Sequence, residues 1–180
     1  LQFDGCAAFY MGGIGRLNDA VGGVTVSVLD DYPFTDVPNG WNMYPGQDVT
    51  LTGRQARLYI QARRGDATGN EDRMQRQKQY MLALINQAKD RVAASPASVV
   101  PLYNAVSDYV LTDLDLGKLS YLATQAAGMS FSGDMLRVTG DAVLGQGNRV
   151  ELTVDQQALY DLILDVFYEE IPAPTDTAGE

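Results

Sequence analysis

The chain has 180 residues, 46% of them hydrophobic, with 23 acidic against 13 basic side chains and a formal net charge of −10. That length allows one domain with a substantial core, and that charge excludes a general polyanion surface, since its field repels nucleic acid or an anionic bilayer. With no histidine and one cysteine, a Ser-His-Asp triad, a Cys-His dyad, the usual zinc sites and an internal disulfide are all excluded, which leaves carboxylates, arginines, amides, hydroxyls or a hard metal ion to do chemistry.

The chain starts at Leu1 without methionine or a signal-peptide pattern, the expectation for a trimmed or truncated chain. No apolar run reaches the length of a membrane span. Cys6 sits in an apolar stretch and is expected to be a small buried hydrophobe. Residues 7–11 read as a strand, and residues 14–21 as a short helix ended by Gly22-Gly23. Residues 24–28 alternate β-branched and polar side chains, the pattern of a half-buried strand. From Asp30 to Gly46 an ordered loop is expected, with turns at Pro38-Asn39-Gly40 and Pro45-Gly46. Its Trp41 and Tyr44 either stack on sugar or pack over a sheet edge. Residues 49–51 read as a brief strand, and Thr52 as the cap of a helix running to about Arg63.

Residues 65–69 interrupt the helical pattern. A long helix is expected over 71–94, with Met74, Met81, Ile85, Ala88 and Val92 at helical spacing toward the core. Met81, Leu84, Ile85, Leu119 and Leu122 are read first as core residues and second as the lining of a lipid groove. Residues 104–110 continue as helix, 111–113 break it, and Thr112 or Asp113 caps a helix over 116–127. Residues 129–131, 137–139 and 150–153 read as strands. Asp155 caps a final helix over 156–168, with Leu159, Leu162, Ile163 and Val166 on its apolar side. Residues 172–180 lack core formers and are expected to be mobile. Helices and strands alternate throughout, so the class is α/β. A single domain is expected over 1–171.

Six of the ten arginines fall between Arg54 and Arg76, and arginine outnumbers lysine ten to three. Guanidinium offers a planar fork of donors that matches phosphate or carboxylate bidentately. A basic cluster on an acidic chain therefore points to a small anionic group in a defined pocket. Residues 73, 76, 77 and 80 share one helix face. They lie near a helix start, where unpaired N–H groups and the positive dipole end already favour anions. Gly65 and Gly69 allow a ligand to come close to the backbone. Composition alone slightly favours a solvated face whose arginines pair with Asp66, Glu71, Asp72 and Asp90, because charge clusters at helix starts are common.

The segment Gly53-Arg54-Gln55-Ala56-Arg57-Leu58-Tyr59-Ile60-Gln61-Ala62-Arg63, followed by Asn70-Glu71-Asp72-Arg73-Met74-Gln75-Arg76-Gln77, resembles the LytR-CpsA-Psr (LCP) family of bacterial cell-wall enzymes. Leu17-Asn18-Asp19-Ala20-Val21-Gly22-Gly23-Val24 and Leu111-Thr112-Asp113-Leu114 match the family in the same order, so the resemblance spans nearly the whole chain. It implies an α-β-α fold with a mixed central sheet flanked by helices. It also implies an extracytoplasmic, membrane-anchored transferase. Such an enzyme moves a glycopolymer, typically teichoic acid or capsular polysaccharide, from an undecaprenyl-pyrophosphate carrier onto peptidoglycan. By the resemblance, Arg63 and Arg73 are the catalytic candidates. Arg63, Arg73 and Gln77 line the pyrophosphate site, Arg76 supports it, and Gln61 and Asn70 occupy substrate-binding positions. A magnesium ion assists, and the prenyl tail lies in an apolar groove. Phosphoryl transfer depends mainly on charge neutralisation and positioning, which arginines supply.

Two positions depart from the family pattern. Gln61 stands where it has arginine, and Asn70 where it has aspartate, a substitution that Asp66 or Asp72 is placed to offset. In the family, G-S-D, aspartate and arginine motifs that carry the metal carboxylates, and a membrane anchor, normally precede the matched segment, so this chain is expected to start partway into the domain. No residues in this chain are assigned to metal. The expectation is little or no transferase activity for this chain alone. The reading from a different class is a non-catalytic module that binds cell wall or polyprenyl phosphate. No basic recognition helix is present, so nucleic acid is not an expected partner.

Overall fold

The computed structural model describes residues 3–29, 44–63, 69–130, 136, 138–144 and 150–169. Most of the loop at 30–43 with Trp41, the segment 64–68 with Arg64 and Asp66, the positions 131 and 137, and the tail 172–180 lie outside the described residues. So does the side chain of Asn70. The chain divides into two compact units, Leu1–Gly133 and Asp134–Glu180.

The first unit runs β1 (Ala7–Phe9), α1 (Ile14–Ala20), β2 (Val24–Ser27), β3 (Asp48–Leu51), α2 (Gly53–Gln61), α3 (Gly69–Ala94), α4 (Val99–Val106), β4 (Val110–Thr112) and α5 (Leu116–Ala127). Helix and strand are mixed, the α/β class that the alternation predicts. β1 pairs antiparallel with β4, Ala8 opposite Leu111, and β2 with β3, Val26 opposite Val49. β2 shows why: Val24 and Val26 point inward while Thr25 and Ser27 face out. α1 stops where Gly22 and Gly23 take φ of 95° and 91°, a conformation that glycine adopts without a side-chain clash.

The core gathers Ile14, Val21, Val24, Val26, Val28, Leu51, Ala56, Tyr59, Ile60, Tyr80 and Leu84 from α1, β2, β3, α2 and α3. α1 and α2 approach backbone to backbone: a Cβ on Gly15 would lie 2.8 Å from the carbonyl oxygen of Gly53. Asn18 ties this core together with a side chain 0% exposed. Its Nδ2 donates to Leu51 O at 2.7 Å, and its Oδ1 accepts from Val24 N at 3.3 Å and Tyr80 Oη at 3.2 Å.

Several expectations change. β1 ends at Phe9, and residues 11–13 make a turn of 3₁₀ helix. Cys6 is exposed rather than buried. It precedes a three-residue strand whose burial pattern is exposed throughout, so apolar neighbours in sequence do not enclose it. On α3 the buried residues are Arg76, Tyr80, Leu84 and Val92, so Val92 faces inward as expected, while Met74 and Met81 are 37% and 41% exposed. Arg76 and Tyr80 follow their hydrogen-bonding partners, which apolar spacing does not reveal. Residues 107–109 form a 3₁₀ turn and 110–112 a strand, which ends the predicted helix at Val106. The cap of α5 is Asp115, whose Oδ1 accepts from Lys118 N at 2.8 Å. Thr112 and Asp113 instead serve the β1–β4 edge: Thr112 Oγ1 donates to Cys6 O at 2.7 Å, and Asp113 Oδ1 accepts from Cys6 N at 2.7 Å. Residues 129–130 are not strand.

The second unit holds β5 (Gly140–Leu144), β6 (Val150–Val154) and α6 (Gln156–Phe167). β5 and β6 pair antiparallel, Ala142 opposite Leu152. Gly140 begins the strand that the sequence suggested over 137–139. Asp155 caps α6 as expected, its Oδ1 accepting from Gln157 N and Ala158 N at 3.0 Å each. Leu159, Leu162 and Ile163 are half-buried, while Val166 is exposed. Among the described residues no helix is long and apolar enough to cross a membrane.

Candidate functional site

α2 starts at a capping box. Thr52 Oγ1 accepts from Gln55 N at 3.5 Å, and Gln55 Oε1 accepts from Thr52 N at 2.7 Å. This sets the helix phase. Gly53, Ala56, Tyr59 and Ile60 turn into the core, while Arg54, Arg57 and Gln61 face outward. Gln61 Oε1 accepts from Arg57 Nε at 3.4 Å, one helical turn away. The helix ends at Gln61, and Ala62 takes extended geometry with ψ of 134°. Arg63 follows and is exposed.

The last carbonyls of a helix have no partners within it. Here α3 supplies donors to two of them and to the carbonyl of the capping residue Ala62. Arg76 Nε donates to Tyr59 O at 3.0 Å, Arg76 Nη2 donates to Ala62 O, and Gln77 Nε2 donates to Ile60 O at 2.9 Å. Arg76 is 1% exposed, with its guanidinium carbon 5.9 Å from the centroid of the Tyr59 ring. Arg73 lies one turn before Arg76 on the same helix. It is half-buried, with Nε enclosed by protein. The backbone leading into Arg63 is thus tied to the stretch of α3 that carries Arg73, Arg76 and Gln77. The side chain of Asn70 is outside the described residues, though its backbone lies in the first turn of α3.

The C-terminal half of α3 lines an apolar cavity of about 340 Å³ with α1, α4 and α5. Ile85, Ala88 and Val92 of α3 face Leu102 of α4 and Leu119 and Ala123 of α5 across it. Lys89 is the one charged lining group among the described residues, and its Nζ donates to Met129 O. Of the five groove candidates, Ile85 and Leu119 line this cavity and Leu84 is buried in the core. Met81 and Leu122 are exposed and fill neither role. α4 contributes Val99, Leu102 and Val106, and no sequence motif marks them. Among the described residues no three His, Cys, Asp or Glu side chains gather as a metal cage.

Residues 1–163 match the LytR_cpsA_psr family. A polyisoprenyl-teichoic acid–peptidoglycan teichoic acid transferase, TagU of Oceanobacillus iheyensis, is 36% identical over 110 residues, 61% of this chain and 32% of the relative. The cell wall biosynthesis protein LcpA of Corynebacterium glutamicum is 30% identical over 168 residues, 91% of this chain and 32% of the relative. The chain thus spans about a third of the length of these two curated relatives. The crystal structure of B. subtilis TagV superposes with a TM-score of 0.69 at 24% identity, covering 94% of this chain and 66% of that one. That likeness extends to the fold.

Proposed function

Because the chain belongs to the LytR_cpsA_psr family, we propose that it is part of an extracytoplasmic, membrane-anchored transferase. The enzyme moves a polyprenyl-pyrophosphate-linked glycopolymer, of the teichoic acid or capsular polysaccharide kind, onto peptidoglycan. The name of the Oceanobacillus relative motivates the choice of teichoic acid and peptidoglycan.

The observation that carries this reading is the layout of α3. Its first turns bear Arg73 and hold the backbone beside Arg63, while Ile85 and residues beyond it line an apolar cavity. Arg73 and Ile85 are about 18 Å apart along the helix at 1.5 Å rise per residue. A cationic end and an apolar end on one helix suit an amphiphile with an anionic head and a hydrocarbon tail. Arg63 and Arg73 are the groups proposed to neutralise the pyrophosphate, the step on which phosphoryl transfer most depends.

The proposal adds that this chain alone binds the carrier without transferring it. Titration with a prenyl pyrophosphate tests the site. Arg63→Ala and Arg73→Ala are each expected to weaken binding by about 1.5–3 kcal/mol, the range for hydrogen bonds to charged groups. Unchanged affinity in both places the site elsewhere. Magnesium-dependent transfer or pyrophosphate hydrolysis by this chain would overturn the claim of binding without transfer.

A further inference from the structure

We propose that Arg76 is a positioning residue: it clamps the end of α2 and so aims Arg63 at the anion site, without contacting the anion. The inference rests on the anion-site reading above. At 1% exposure, with Nε on Tyr59 O and Nη2 on Ala62 O, the guanidinium is buried and turned toward the end of α2. The two carbonyls it spans lie on either side of the point where α2 stops. Tyr59 O belongs to the last helical turn, and Ala62 O to the first extended peptide. One rigid fork holding both fixes the direction in which the chain leaves the helix, and Arg63 is the next residue.

The clamp is braced on the far side. Tyr59, whose ring lies beneath the Arg76 guanidinium, donates from Oη to Gln79 Oε1 at 2.7 Å, and Gln79 Nε2 donates to Ser27 O at 2.6 Å. The end of α2 is therefore referenced through α3 to β2. A cation is favourable there, because the carbonyl end of a helix carries the negative end of its dipole. Burying a charge is costly unless it is hydrogen-bonded, and these carbonyls supply the bonds. Lysine keeps the charge but is a point donor on a flexible stem, so it cannot reproduce the two-carbonyl span.

The test is a double-mutant cycle, read by titration with geranylgeranyl pyrophosphate well below the melting temperature of each variant. Arg76→Lys alone is expected to weaken binding about tenfold, and about twofold or less when Arg63→Ala is already present. Losses that multiply independently overturn the inference, because they mean Arg76 meets the ligand directly; an unchanged affinity in Arg76→Lys overturns it as well. Hydrogen exchange supplies a readout that needs no ligand. In Arg76→Lys, amides at 59–63 are expected to exchange about tenfold faster while α1 is unchanged, and unchanged protection at 59–63 overturns the clamp. If the wild type binds no prenyl pyrophosphate, the amphiphile reading fails, and the exchange data alone decide whether Arg76 holds the end of α2. Arg76→Gln, which retains one amide donor, takes the place of the lysine variant if that variant does not fold.

Discussion

Replacing Asn18 by alanine removes the polar hub of the first unit and leaves three buried groups behind. Leu51 O loses its 2.7 Å donor, Val24 N its 3.3 Å acceptor and Tyr80 Oη its 3.2 Å acceptor. A buried group left without a partner costs roughly 1–3 kcal/mol. Two of the three bonds are long, and the amide itself no longer has to be buried, so the low end applies. The expected loss is about 3 kcal/mol, which lowers the melting temperature by about 6–12 °C for a chain of this size. Urea unfolding at constant m-value measures it. Thr25→Ala is the control. Its hydroxyl meets that of Thr50 at 2.8 Å on an exposed face, and its loss is expected to stay within about 0.5 kcal/mol. If Asn18→Ala falls within about 1 kcal/mol of wild type, the hub reasoning is wrong.

Thr52→Ala removes one half of the capping box at α2 and is expected to destabilise by about 0.5–2 kcal/mol in thermal melts. An unchanged melting temperature would mean that the box contributes nothing. Burial, assisted by the nearby charge of Asp19, pushes the Tyr80 phenol well above its usual range. The folded state therefore favours the neutral phenol. The stability this contributes is complete below the unfolded value of about pH 10 and is lost as pH rises beyond it. Tyr80→Phe, which cannot ionise, is expected to flatten that alkaline loss in a pH series of urea melts. An equally steep loss in the variant would assign the slope to other groups.

Local patterns carried most of the secondary structure. The alternation in β2, the glycine pair after α1, and the Thr52 and Asp155 caps are each set by residues within a few positions of one another. Two of the misses share a cause, which is long-range partnership. Asp113 looks like a helix cap, yet its carboxylate serves Cys6, 107 residues away in sequence. Arg76 and Tyr80 are buried on α3 because Tyr59, Ala62 and Asn18 accept their hydrogen bonds. Hydrophobic periodicity points correctly to Val92 but also to Met74 and Met81, which are exposed. In the candidate site, the arginine motif is legible in the sequence as a charge cluster. The structure adds how α2 is tied to α3 there. The apolar end was half legible, because Ile85 and Leu119 stood out at helical spacing while the α4 wall carried no comparable mark.

The central claim is that one amphiphile occupies both ends of α3. The direct measurement compares geranylgeranyl pyrophosphate with inorganic pyrophosphate, in wild type and in Ala123→Trp, which fills the cavity. At about 0.8 kcal/mol per buried methylene, even a few buried carbons give the wild type a preference of about a hundredfold for the prenyl compound. Ala123→Trp is expected to keep its affinity for inorganic pyrophosphate and to lose that preference. Equal affinity for both compounds in wild type, or a preference that survives the tryptophan, would contradict the account.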